Sequence, residues 1–103
     1  MIGIDITRIS RFEHPKMLEH ILKKFNVDGD TPIAAAKTWA CIESLIKAKG
    51  EPFKVNNFKI LFPEKSAPQI HDPDNVLGGK YFLSLSHEGD MLVAVAVRNL
   101  NEI

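Results

Sequence analysis

The sequence has one cysteine, no excess of charge of either sign and no long apolar run, and each absence excludes a class of protein. The lone thiol, Cys41, cannot form an internal disulfide, so a reducing compartment is expected. Basic and acidic residues number 13 each, and this balance gives no global signal for binding nucleic acid or membrane. No apolar run approaches the ~18 residues that a membrane-spanning helix needs.

The first residues, MIGIDITRISRF, contain a short apolar run that Asp5 interrupts, unlike a secretory signal. We therefore expect a cytoplasmic protein. The 103 residues fit one domain, residues 1–103, and a composition that is 45% hydrophobic and 25% charged is ordinary for a globular protein. A domain of this size has a modest core, so its stability is expected to depend on association.

The N-terminal half of the sequence predicts one strand followed by two helices. Residues 2–7 alternate isoleucine with smaller or polar residues, which predicts a half-buried strand with Asp5 on its less apolar face. A first helix is expected to open near Ser10 and to end at the turn sequence NVDGD. A second, longer helix is expected from a cap at Thr31 to a stop at Gly50.

The C-terminal half predicts strands joined by turns. Residues 53–62 read as a strand, and the proline- and glycine-containing segment 63–80 reads as an irregular loop. Residues 81–87 and 91–98 are apolar runs separated by EGD, which predicts a hairpin. The order of elements indicates an α+β domain with a largely antiparallel sheet and helices packed on one face.

Two carboxylates are candidate metal ligands. Asp5 lies on the first predicted strand and Glu43 in the middle of the helical stretch WACIESLIKA, so they converge if that helix packs on the sheet. Two carboxylates with room for water suit Mg²⁺, which binds through one or two carboxylates and substrate phosphates. The alternative, which spacing alone favours, is that each carboxylate is a solvated surface charge.

Three further side chains are candidates for chemistry. Lys47 follows Glu43 by four residues, which fits either a helical ion pair or a cation that binds phosphate beside the metal. His87 ends the sequence SLSH at a predicted turn, where it either donates to a phosphate or is merely an exposed turn residue. Cys41 lies in an apolar helical stretch and is expected to be a buried, unreactive thiol.

Three segments in this order, GIDITRISRF, WACIESLIKA and SLSHE, resemble the signature blocks of the 4′-phosphopantetheinyl transferases. They cover about a third of the chain. The small size and the N-terminal position of the first block are most similar to the bacterial holo-[acyl-carrier-protein] synthase type. The middle block is closer to the larger, two-lobed type that serves peptide synthetases.

The resemblance implies transfer of the phosphopantetheine arm of coenzyme A to a serine of an acyl or peptidyl carrier protein, with release of 3′,5′-ADP. By similarity, Asp5 and Glu43 bind Mg²⁺ with the pyrophosphate of coenzyme A. Lys47 contacts the phosphates and assists deprotonation of the serine, so Glu43 and Lys47 are the expected catalytic residues. Ser86 and His87 hold the region of the nucleotide's 3′-phosphate.

The resemblance also implies partners. Arg11 matches a position that docks the acidic carrier protein, and Arg8 belongs to the same basic region. The small relatives form trimers with sites at the interfaces, so we expect a homotrimer in which His87 of one chain faces Asp5, Glu43 and Lys47 of its neighbour.

Three positions depart from the family pattern: Ile42 stands where lysine is usual, Arg8 where an acid is usual, and Thr38 where arginine is frequent. These departures predict reduced or absent activity, or a different substrate. The leading hypothesis is an active magnesium-dependent transferase. One alternative is a non-catalytic module of the same fold that binds the carrier protein or coenzyme A, and another is an interaction domain whose motif match arises by chance.

Overall fold

The structure, a computed structural model, describes residues 1–100 of the chain. Five strands and two α-helices follow the order β1 (Ile2–Arg8), α1 (Pro15–Lys24), α2 (Pro32–Lys49), β2 (Lys59–Leu61), β3 (Gln69–His71), β4 (Tyr81–Glu88) and β5 (Met91–Arg98). A short 3-10 helix, Ile9–Glu13, joins β1 to α1. None of the helices in this part of the chain is both long and apolar enough to cross a bilayer.

A three-stranded antiparallel sheet in the order β1-β5-β4 forms one layer, and α2 lies across it. The predicted α+β class and the antiparallel sheet are therefore confirmed, and the β4–β5 hairpin forms where the sequence placed it. Strands β2 and β3 form a separate two-stranded ribbon. Because β5 is the central strand, its inward residues Leu92, Ala94 and Ala96 are buried under α2.

Helix α2 has the predicted ends. The Thr31 hydroxyl oxygen accepts a hydrogen bond from the Ala34 amide at 3.2 Å, and Pro32 occupies the first turn, where its missing N–H costs nothing. Gly50 ends the helix with φ of 88°, a left-handed conformation that glycine adopts without strain. The first helical region is instead divided, because Pro15 disfavours helical backbone at His14 and the 3-10 helix stops there.

The predicted strand 53–62 is mostly wrong, since only Lys59–Leu61 pairs as a strand. The Asn26 side-chain amide donates to the carbonyls of Val55, Asn56 and Phe58 at 2.8–3.3 Å, so these groups bond to a side chain and not to a strand. The predicted loop 63–80 contains the short strand β3, whose pairing with β2 reflects contacts distant in sequence.

Strand β1 is half-buried as predicted, but its isoleucines face outward. Ile2, Ile4 and Ile6 are 51–62% exposed, whereas Gly3 and Thr7 on the opposite face are buried. Gly3 sits so close to α2 that an added Cβ would lie 1.8 Å from the Ser44 carbonyl oxygen. The less apolar face is the inner one because only a residue without a side chain admits the helix backbone at this distance.

Candidate active site

The close approach of α2 to β1 brings Lys47 onto Asp5. The Lys47 ammonium donates to the Ile4 carbonyl at 2.9 Å and lies 3.3 Å from Asp5 Oδ1. The Asp5 side chain is 13% exposed and that of Lys47 is 51% exposed, so the pair sits at the rim of the helix–sheet interface. Within residues 1–100, the ion pair of Lys47 runs to Asp5 and not to Glu43, so the helical-pair alternative is not what the structure shows.

The second carboxylate oxygen of Asp5 is the unusual atom of the site. Asp5 Oδ2 is buried and has no hydrogen-bond partner among the residues that the structure describes. A buried polar atom without a partner is costly and calls for an explanation, and an ion or water is one of them. Thr38 Oγ1 on α2 is a second such atom among the described residues. Asp5 thus presents one oxygen to Lys47, and its other oxygen is open to a further partner.

Glu43 lies one helical turn before Lys47 on α2 and is half-buried. Residues four apart share a helix face, and the next residue, Ser44, contacts Gly3 of β1 through its backbone. Glu43 therefore lies on the rim of the same helix–strand contact. Across residues 1–100, no three His, Cys, Asp or Glu side chains gather as metal ligands, so the arrangement offers a pair of carboxylates and no all-protein cage.

His87 and Ser86 lie elsewhere on the sheet. They are exposed near the end of β4, and strand alternation directs their side chains to opposite faces. His87 Nε2 is 2.7 Å from the Gly89 carbonyl oxygen in the hairpin turn. Strands β1 and β4 are about 10 Å apart, since β5 lies between them and neighbouring strands are about 4.8 Å apart. One chain therefore does not bring His87 onto Asp5.

A cavity of about 720 Å³ opens between α2, β4 and the segment that follows β2. Its lining includes Lys37, Phe62, Lys65, Ser84 and Leu85, and the Lys37 ammonium lies 5.7 Å from the centre of the Phe62 ring. The sequence prediction missed these residues. The available signal was Lys37 itself, a cation beside Thr38, where relatives often carry arginine.

The candidate docking residue Arg11 is exposed on the 3-10 helix. Its guanidinium lies 5.1 Å from the Trp39 ring centre and 5.7 Å from that of Phe12, while Phe12 and Trp39 are themselves 6.3 Å apart. Arg8 is 70% exposed and forms a long ion pair of 3.8 Å with Asp90. Both arginines face solvent, but each already has a partner within the chain.

Three buried residues, two of them departures from the family pattern, are given no role in catalysis. Ile42 and Thr38, two of the three departures from the family pattern, are 3% and 2% exposed, so these positions belong to the core here. Burial raises the pKa of the Cys41 thiol to about 12, with Lys37 lowering it and Asp5 raising it by smaller amounts. The predicted burial of Cys41 is confirmed.

No protein-family model matches the chain. A curated relative, the holo-[acyl-carrier-protein] synthase of Mycoplasma mobile, is 30% identical over 105 aligned residues that cover 95% of this chain and 88% of that protein. The Helicobacter pylori enzyme of the same name, solved in complex with coenzyme A, superposes with a TM-score of 0.76 at 24% identity, covering 96% of this chain and 100% of that one.

The enzyme of Neisseria meningitidis superposes with a TM-score of 0.72 at 22% identity, covering 95% of this chain and 96% of that one. These likenesses to solved structures show the fold, while the sequence relationship extends over nearly the whole chain. A chance match of motifs is thereby excluded. The chain belongs to the holo-[acyl-carrier-protein] synthase family and is an enzyme of the phosphopantetheinyl transferase type.

Proposed function

We propose that this protein transfers the 4′-phosphopantetheine group of coenzyme A to a serine of an acidic acyl or peptidyl carrier protein. The serine hydroxyl gives up its proton to solvent, its oxygen bonds to the phosphorus that bears the pantetheine arm, the bond from that phosphorus to the bridging oxygen breaks, and 3′,5′-ADP leaves. We assign the reaction to the cytoplasm and to fatty acid biosynthesis. The observation that carries the proposal is Asp5, paired with Lys47 through one oxygen and, among residues 1–100, without a hydrogen-bond partner at the other.

Mg²⁺ is the metal that this donor set fits. Asp5 Oδ2 is a buried hard oxygen without a protein partner, and Glu43 supplies a second carboxylate from the facing helix. Mg²⁺ binds through one or two carboxylates and completes its shell with water and substrate phosphates. When bound, the metal neutralises charge on the pyrophosphate.

Lys47 contacts the other carboxylate oxygen of Asp5. Its ammonium is half-exposed and held by the Ile4 carbonyl, so it is positioned without being withdrawn from solvent. From there it contacts the phosphates of coenzyme A and assists loss of the proton from the attacking serine. Positioning and charge neutralisation provide most of the catalysis in phosphoryl transfer, and a fixed cation supplies both.

The nucleotide end of coenzyme A is assigned to the cavity between α2, β4 and the segment after β2. Lys37 and Lys65 supply positive charge for phosphate and Phe62 supplies an aromatic face for the base. Ser86 follows Ser84 on the same face of β4, His87 lies on the other face near the strand end, and both are assigned to the border of the 3′-phosphate region. The Helicobacter pylori relative that shares this fold was solved with coenzyme A bound, which supports the choice of ligand.

The carrier protein is proposed to dock on the exposed basic residues of the N-terminal region, chiefly Arg11 with a contribution from Arg8. Stacking on Trp39 holds the Arg11 guanidinium at the surface while leaving its N–H groups for a carboxylate. An acidic partner attracted in this way should bind more weakly as salt is raised.

A homotrimer with shared active sites completes the proposal. The outer face of the sheet carries the exposed residues Ile2, Ile4, Ile6, Phe82 and Val97, an apolar surface larger than scattered surface residues would give. A second copy of the chain is the proposed occupant, because His87 and Asp5 lie on separate parts of one chain. In the proposed trimer, His87 of one chain faces Asp5, Glu43 and Lys47 of its neighbour.

The test is a mass-shift assay. The protein is incubated with coenzyme A, Mg²⁺ and a panel of apo carrier proteins, and an increase equal to the phosphopantetheine arm is expected on one of them. Binding of a carrier without any mass shift would support the non-catalytic alternative and overturn the proposed reaction.

Subunit complementation tests the shared site. Inactive His87→Ala and inactive Glu43→Gln proteins are mixed under conditions in which subunits exchange, and activity should partly return as intact halves combine. A mixture that exchanges subunits yet stays inactive, or a monomer mass for an active sample, would refute the shared site.

A further inference from the structure

The turn of the β4–β5 hairpin is hydrogen-bonded to the start of the 3-10 helix, 80 residues earlier in the chain. Asp90 Oδ1 accepts from the Ser10 amide at 2.8 Å, and Asp90 Oδ2 accepts from the Ser10 hydroxyl at 2.6 Å. The Ile9 amide donates to the Asp90 carbonyl at 2.8 Å. Two consecutive residues of the helix are thus tied to a single residue of the turn.

The 3-10 helix has no capping device of its own. Arg8 precedes it without a side-chain hydrogen bond to the helix, and its first turn contains no acidic residue. Free N–H groups at a helix start need an acceptor, and a carboxylate is a strong one. Asp90 supplies that acceptor from a distant strand turn, so the position of the helix depends on the hairpin as well as on local sequence.

The segments joined by this contact carry residues with assigned roles. The 3-10 helix carries Arg11, whose guanidinium lies over Trp39, and the hairpin turn follows His87, which is bonded to the Gly89 carbonyl. Arg8, next to the helix, lies 3.8 Å from Asp90 Oδ2. Asp90 therefore joins the helix that carries Arg11 to the turn that follows His87.

We propose that Asp90 is a positioning residue for carrier docking: by holding Ser10 it fixes the 3-10 helix, and with it Arg11, relative to the histidine turn. The inference rests on the proposed function, since it concerns the carrier that the transferase would modify. Asp90 does not itself touch the carrier or coenzyme A. Its loss should affect recognition of the carrier and leave the coenzyme A site unchanged.

The experiment compares Asp90→Ala, Asp90→Asn and Ser10→Ala with the wild type, and uses Arg11→Ala as the reference for lost docking. Asp90→Ala is expected to raise KM for the carrier ~10-fold, as befits loss of charge-assisted hydrogen bonds, while kcat and KM for coenzyme A stay within about twofold. Asp90→Asn keeps one acceptor oxygen for the Ser10 amide and should recover part of the loss. Ser10→Ala keeps the hydrogen bond from the backbone amide of residue 10 to Asp90, so its KM for the carrier should resemble that of Asp90→Asn.

Hydrogen exchange of the Ser10 amide supplies a readout independent of activity. The matched control is Asp74→Ala, which removes an exposed aspartate that is hydrogen-bonded to Asn57 in another loop. Asp90→Ala should speed exchange at Ser10, and the control should change neither exchange nor KM. Equal increases in both KM values, or faster exchange with an unchanged carrier KM, would overturn the positioning role.

A wild-type protein that transfers nothing would instead count against the proposed function. Carrier affinity would then be measured by titration, and Asp90→Ala must weaken it about tenfold for the positioning role to stand. If no carrier binds the wild type, the positioning role fails with the docking site. Should Asp90→Ala not fold, Asp90→Asn and Ser10→Ala carry the same comparison.

Discussion

Along β1, side chains alternate between a face covered by α2 and a face open to solvent, and the two faces differ in character. The covered face carries Gly3, Asp5 and Thr7, while the open face carries Ile2, Ile4 and Ile6. In an ordinary half-buried strand the isoleucines would be inside. The inversion fits a covered face built for close helix approach and, for the open face, the contact with another chain that we propose.

The largest expected effect is at Glu43, the α2 carboxylate at the rim of the contact between α2 and the covered face of β1. Glu43→Gln preserves shape and removes charge, so transfer should fall at least ~100-fold, the scale of losing one electrostatic stabiliser. Steady-state rates at saturating coenzyme A and Mg²⁺ provide the measurement. Glu19→Gln, which breaks an exposed ion pair with Lys23, should keep wild-type activity. Full Mg²⁺-dependent activity of Glu43→Gln would show that the metal site is assigned to the wrong residue.

Gly3→Ala tests the closeness of the covered face. An added Cβ would lie 1.8 Å from the Ser44 oxygen and 2.6 Å from the Ala48 nitrogen, both backbone atoms that cannot rotate away. Helix α2 would have to move, and we expect a loss of ~1–3 kcal/mol in the free energy of unfolding, typical of overpacking. Denaturant titration measures it. Gly79→Ala, where an added Cβ would meet only the flexible Arg98 side chain at 3.3 Å, should change stability by less than about 1 kcal/mol. Equal stability of Gly3→Ala and wild type would contradict the tight contact.

The inversion of β1 marks where sequence reasoning reaches its limit. Period-two alternation identified the strand and separated its two faces, and the caps at Thr31 and Gly50 fixed the ends of α2. Which face is inside depends on how near the helix comes, and that is set by Gly3 meeting the backbone of Ser44. Such a contact joins residues 41 positions apart and leaves no periodic signal.

The candidate site was likewise predicted only in part from the sequence. Asp5 and Lys47 were identified from short motifs, and the structure brings them into contact. The cavity with Lys37 and Lys65 was missed, because its wall comes from the segment after β2, which the sequence predicts only as an irregular loop. The strand before that segment was also predicted too long. Asn26 prevented that strand by bonding three carbonyls from a distant loop, which local propensity does not reveal. The contacts that shorten the strand are side chain to backbone and far apart in sequence.

Ile4→Asp tests the open face. A carboxylate at the middle of the proposed interface should be too costly to desolvate, so the mass by light scattering should fall from that of a trimer to that of one chain. Far-UV circular dichroism should stay unchanged, because Ile4 is 51% exposed in the single chain. His20→Asp, an exposed position on α1, should leave the trimer intact. A trimer that survives Ile4→Asp would place the interface elsewhere.

The smallest effect is expected at the hairpin turn, which belongs to neither face and is held by polar contacts. Hydrogen bonds from the Ser10 hydroxyl, then from the Ser10 amide, hold the pKa of Asp90 below its ordinary value of 3.8, and Arg8 adds to this. A carboxyl whose pKa is lowered by folding stabilises the native state above the unfolded pKa, and that stabilisation is lost as pH falls through the folded value.

The thermal midpoint of wild type should therefore exceed that of Asp90→Asn by a constant amount at pH 5–7, and the gap should close below about pH 3.8. Melting curves recorded by circular dichroism from pH 7 to 2 measure it. Ser10→Ala removes the largest cause of the lowered pKa and should shrink the part of the gap that depends on pH. A difference in thermal midpoint that stays the same down to pH 2 would mean that Asp90 holds the turn through its shape. Its charge would then contribute nothing to the stability of the fold.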